Sequence, residues 1–93
     1  MKLVFEWDPL KAETNSRKHN VSFKEAAAVL ADPLSSTFAD PDHSAEEDRF
    51  ITIGESSGGR VLIVSHTDRG DRVRIISARE ATSSERQAYE ETN

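Results

Sequence analysis

The stretch from residue 49 to 79 carries six basic residues against three acids, and all six are arginines: Arg49, Arg60, Arg69, Arg72, Arg74 and Arg79. A guanidinium presents a rigid fork of donors that matches phosphate or carboxylate. This pattern therefore points either to an anion site or to a set of ion pairs with the nearby Glu80, Glu85 and Glu90. Three histidines, His19, His43 and His66, are the side chains whose ordinary pKa of about 6.5 suits proton transfer near neutral pH. A second basic grouping lies earlier. Lys11, Asn15 and Lys18 stand at i, i+4 and i+7, with His19 four beyond Asn15, so a helix would put them on one stripe. That stripe is either a solvated face or a contact surface. Asp40, Asp42, His43, Glu46 and Glu47 together offer oxygens and an imidazole for Mg²⁺ or Mn²⁺. Their spacing, however, fits no EF-hand or zinc pattern, and acidic loops are ordinarily just solvated. No metal or other cofactor is expected. Phosphate-binding Gly loops, dinucleotide fingerprints and Ser-His-Asp elbows are absent.

The elements that must hold these residues can be read in order. Leu3 to Trp7 is short and β-prone, a first strand. Asp8-Pro9 sets an N-cap followed by proline at the first helical position, and the helix runs from Pro9 to about His19, with Asn20 as a left-handed stop. Ser22 and Glu25 form a capping box that opens a second helix, with Phe23, Ala26, Ala27 and Leu30 on its core face. Asp32-Pro33 closes it. Leu34 to Ala39 is a short strand, and Asp40 to Asp48 an acidic loop in which Ser44 to Glu47 fits a brief capped turn. Strands follow at Arg49–Gly54, Arg60–Thr67 and Arg72–Arg79, separated by turns at Ser56–Gly59 and Asp68–Asp71. Val61 to Val64 is apolar on both faces, as a central strand would be. Thr82 to Glu85 is a third capping box, opening a helix through Tyr89. Trp7 is expected to anchor the first helix to the sheet. The class is α+β, β-α-α followed by an antiparallel meander and a C-terminal helix.

Ninety-three residues make one domain, 1–93, with a thin core. Hydrophobic residues are 35% and charged residues 31% of the chain. No apolar run is long enough for a membrane span, and the acids close to the start argue against a signal peptide. With no cysteine there is no disulfide scaffold, and a cytoplasmic location is expected. The net charge of −5 looks wrong for a nucleic-acid binder until it is divided. Residues 1–48 sum to −5, 49–79 to +3 and 80–93 to −3. Global acidity does not exclude a local anion site.

Four blocks in order, FEWDPLKAETNSRKHNVSF (Phe5 to Phe23), DPDHSAEEDRFITIG (Asp40 to Gly54), GRVLIVSHT (Gly59 to Thr67) and RIISAREATSSERQAYEE (Arg74 to Glu91), resemble the BrnT toxins of type II toxin–antitoxin systems. The resemblance covers nearly the whole chain. Asn20 replaces a common glycine and Asp48 a common glutamate, neither at a catalytic position. The resemblance implies a RelE-like ribonuclease fold, RNA cleavage that inhibits translation, and neutralisation by a BrnA-like ribbon-helix-helix antitoxin, with DNA contacted only through that antitoxin.

Metal-independent RNA cleavage uses the 2′-hydroxyl as nucleophile, so the protein must supply a base, donors around a phosphorane gaining charge, and an acid for the leaving oxygen. Arg72 and Arg74 alternate with Val73 and Ile75 and emerge together from one side of the strand. Arg74 and Arg79 are the expected phosphate ligands, Arg60 a third, and His66 the acid or base. Lys11, Asn15, Lys18 and His19, with Tyr89 near the C-terminus, are the expected RNA contacts, and His43 and Glu47 are additional candidates by analogy with the family blocks. The competing reading is a non-catalytic interaction module of the same fold, whose arginines serve a protein interface.

Overall fold

The computed structural model describes residues 3–41 and 48–92. Its elements are β1 (Val4–Glu6), α1 (Pro9–His19), α2 (Phe23–Leu30), β2 (Ser36–Ala39), β3 (Arg49–Glu55), β4 (Val61–Arg69), β5 (Arg72–Glu80) and α3 (Ser83–Thr92). The α+β class is as expected. The strands form one sheet in the order β1-β5-β4-β3-β2. β2 to β5 make the antiparallel meander, whereas β1 runs parallel to β5 at the far edge. The sheet is therefore mixed. Two helices intervene between β1 and β2, so the chain crosses the sheet and the two strands end on opposite edges.

One face of the sheet carries the core. Val21, Phe23, Ala26 and Val29, from α2 and its lead-in, pack on Leu62, Val64, Ile75 and Ala78. Each such side chain, fully buried, contributes on the order of 1.5–3 kcal/mol for the larger residues. β4 is the central strand, as its apolar run implies. Trp7 packs edge-on against Phe23 of α2, ring centroids 6.0 Å apart. Gly54 is where the α2–β2 connection crosses β3: a Cβ there would sit 2.8 Å from Ser35 Cβ.

α1 is capped as its sequence implies. Asp8 Oδ1 accepts from the Leu10 amide at 2.8 Å, and Asn20 takes the left-handed conformation at φ 56°. Asn15 is its one buried residue. β1 ends opposite Arg74, so the edge of β5 beyond it lacks a neighbouring strand. Asn15 fills that role. Its Oδ1 accepts from Ala78 N–H at 3.0 Å, while Nδ2 donates to Ala78 O at 2.8 Å and to Val21 O at 3.1 Å. The amide satisfies backbone groups that would otherwise be orphaned.

β5 contains a bulge. Ser65 pairs with Ser77 and His66 with Ile75, leaving Ile76 as an extra residue. Strict alternation from Arg74 would turn Arg79 to the opposite face. The extra residue restores parity. Val73, Ile75 and Ala78 are buried toward the helices, so Arg72, Arg74 and Arg79 share the other face.

Candidate active site

That second face is built from alternate residues of every strand. The register places Arg49, Thr67 and Arg74 side by side on β3, β4 and β5, with Glu6 of β1 next to Arg74. One step toward the hairpin, Arg69 faces Arg72. Like charges directly opposite repel, and among the described residues Glu6 is the carboxylate that meets Arg72 and Arg74. Arg72 Nη1 donates to Glu6 Oε1 at 3.2 Å and Arg74 Nη1 to Glu6 Oε2 at 3.4 Å. A single carboxylate is divided between two guanidinium groups, each through one long contact. The Arg74 side chain stays 38% exposed.

Arg79 sits on the same face in a different state. Its Nη1 and Nη2 donate to Glu85 Oε1 and Oε2 at 2.8 and 3.0 Å. Glu85 also closes the third capping box, accepting from Thr82 N–H at 2.9 Å while its own N–H donates to Thr82 Oγ1. The Arg79 hydrogen bonds first, and the Thr82 amide second, pull the Glu85 carboxyl down to about 2. Beside this pair, α3 and the sheet enclose a cavity of about 490 Å³ floored by Phe38, Ile51, Ile53 and Ile63, with Tyr89 on its α3 wall. Phe38 is 51% exposed. Burial, then the charges of Asp32 and Glu55, push the Tyr89 phenol up, so it keeps its proton at neutral pH.

Arg60 does not join the other arginines. It stands at the start of β4 and grips Glu25 of α2, its Nε donating to Oε2 at 3.1 Å and Nη2 to Oε1, with Nη2 also reaching Asn20 O at 3.0 Å. Ser56 Oγ donates to the same Glu25 carboxylate at 2.6 Å. The pairing lowers the Glu25 carboxyl and raises the Arg60 guanidinium. These groups tie the β3–β4 turn to α2. The Ser22–Glu25 capping box is accordingly half made: Ser22 Oγ accepts from Glu25 N–H at 3.0 Å, but the carboxylate points to Arg60.

His66 also departs from its expected place. It projects from the helix-covered face, opposite the arginines, and is 3% exposed. Both ring nitrogens are engaged: Nδ1 with Asp68 Oδ1 at 2.8 Å and Nε2 with Thr52 Oγ1 at 2.7 Å. In the neutral ring the Asp68 carboxylate takes the Nδ1 proton's hydrogen bond, so Nε2 accepts from Thr52, which in turn accepts from Thr37 at 2.7 Å. Phe50 stacks on the imidazole, centroids 6.0 Å apart. The sheet between them keeps this ring away from the arginine face.

Lys11, Lys18 and His19 do gather, with Thr14, around a cleft of about 330 Å³ between α1 and the Ile76–Ser77 bulge. Asn15 lies in its floor, its amide already committed to Val21 and Ala78. It is a clamp rather than an open RNA contact. His43 and Glu47, and the Ser44–Glu47 turn, lie outside the described residues. No group of three metal-ligating side chains occurs among the described residues. Glu6 escaped the sequence reading because nothing local marks it. Its meaning comes from a parallel pairing with β5 that only the folded sheet creates.

The family model for the ribonuclease toxin BrnT of type II toxin–antitoxin systems matches residues 7–85. The chain belongs to the BrnT family. The 1.1 Å crystal structure of the Brucella abortus ribonuclease toxin BrnT is similar to it, with 28% identity and a TM-score of 0.67, over 89% of this chain and 99% of that one. No curated protein sequence matches. No described helix is long and apolar enough to cross a membrane. Type II membership implies an antitoxin partner, and the BrnT match agrees with the α+β sheet described above.

Proposed function

We propose that this BrnT chain is a metal-independent endoribonuclease that inhibits translation in the cytoplasm and uses the arginine face of its sheet to hold the scissile phosphate. The observation that carries the reading is the shared carboxylate: Arg72 and Arg74 have Glu6 between them, so the pair retains positive charge at a half-exposed surface. As the 2′-hydroxyl attacks, the phosphorane oxygens gain charge, and a guanidinium already in place stabilises that charge with little reorganisation. Arg74 is the central donor. Arg79 orders the entrance to the α3 groove, where the protonated Tyr89 hydroxyl can meet a nucleotide. Lys11, Lys18 and His19 extend the backbone track around the edge of β5.

The antitoxin partner would be a BrnA-like ribbon-helix-helix protein that covers the arginine face, with DNA reached only through it. Purified protein incubated with RNA and excess EDTA tests the enzyme. Cleavage should survive chelation, and Arg74→Ala, still folded, should lose about 10²–10³-fold in rate. Chelator-sensitive cleavage, or an undiminished Arg74→Ala variant, rejects the mechanism. A second reading, a non-catalytic interaction module, is favoured by the pairing of Arg60 and Arg79 with carboxylates. It requires inert protein that still binds the antitoxin.

A further inference from the structure

Thr67 lies in the middle of the arginine face, 4% exposed, and its Oγ1 has no hydrogen-bond partner among the described residues. A buried hydroxyl left unpaired is costly. The two other buried hydroxyls among the described residues are both satisfied: Thr52 by Thr37 and His66, and Ser56 by Glu25 and two backbone amides. Thr67 is the exception, and its neighbours give the exception meaning. It is paired in register with Arg49 on one side and Arg74 on the other. The adjoining Arg69 and Arg72 oppose each other, a like-charge pair that an isolated sheet would avoid. The Arg74 contact to Glu6 is long and single, so this guanidinium can swing from Glu6 to an incoming anion and uncover the threonine beneath.

We infer that Thr67 is a phosphate-binding residue: its hydroxyl donates to a non-bridging oxygen of an RNA phosphate that Arg49 and Arg74 grip from either side. The inference rests on the ribonuclease reading for its ligand but makes a separate claim about one atom. A phosphodiester anion supplies an acceptor for the Thr67 hydroxyl and adds negative charge beside Arg72 and Arg74, which share the one Glu6 carboxylate.

Thr67→Val is isosteric and removes only the hydroxyl. A hydroxyl unpartnered in the free protein predicts that the variant melts at the same temperature as the native chain or higher. It should also bind a 2′-O-methylated RNA oligonucleotide, which cannot be cleaved, at least tenfold more weakly. Cleavage of ordinary RNA should fall by a similar factor, and Thr67→Ser should recover most of both. A lower melting temperature in Thr67→Val would mean the hydroxyl is already partnered, and native-like oligonucleotide binding would mean that it meets no phosphate. Either result overturns the inference. If native protein fails to cleave RNA yet Thr67→Val loses oligonucleotide binding, the phosphate site stands and the enzyme reading falls.

Discussion

Asn15 illustrates how one residue can change its meaning between chain and fold. On a helical wheel it belongs to a polar stripe with Lys11 and Lys18. In the sheet it is a strand substitute that holds both backbone groups of Ala78. Asn15→Ala would leave those groups and Val21 O unpaired away from water, and should cost about 2–4 kcal/mol in urea unfolding; Lys11→Ala on the same stripe should cost little. Glu85 gives a pH prediction. Its folded value, about 2, lies below its ordinary value of 4.5, so the native state is stabilised above pH 4.5 and loses that stability as the pH falls toward 2. Because the pair is partly exposed, the contribution is set at about 1–2 kcal/mol rather than the full shift. Melting temperature measured from pH 6 to pH 2 should fall less steeply in Glu85→Gln.

At the scale of elements, the caps at Ser22–Glu25 and Thr82–Glu85 were legible because a cap is a local device, closed within four residues. Both reveal what locality omits. Glu25 leaves its box for Arg60, 35 positions away, and Glu85 completes its box while also binding Arg79. Both arginines therefore looked available in the sequence and are engaged in the fold. The bulge at Ile76 belongs to the same scale. It rotates the end of β5 by one residue and places Arg79 with Arg74, an arrangement that alternation alone contradicts. Gly54 marks a close approach between elements. Gly54→Ala would drive a methyl group into Ser35 and Val29, and should cost roughly 1–3 kcal/mol in the same unfolding measurement.

At the scale of the molecule, a chain of net charge −5 gathers Arg69, Arg72 and Arg74 at one hairpin, with Glu6 paired to Arg72 and Arg74. RNA affinity should therefore depend on a few local contacts. Because single strands lose roughly 0.7 in logarithmic slope per neutralised phosphate, the salt dependence of oligonucleotide binding should be shallow, about −1 to −2 in a log–log plot. A steep slope would require a broad basic surface that this fold lacks among its described residues.

The sequence by itself determined the α+β order, the helix caps, the central apolar strand and the family, since each depends on neighbouring residues or on whole blocks read in order. Only the tertiary structure decided which charges remained for chemistry. It placed His66 behind the sheet, tied Arg60 to Glu25, divided Glu6 between Arg72 and Arg74, and set Thr67 between Arg49 and Arg74. Those outcomes depend on strand register, a one-residue bulge and contacts spanning up to 68 positions, and side-chain availability is a property of such contacts rather than of residue type.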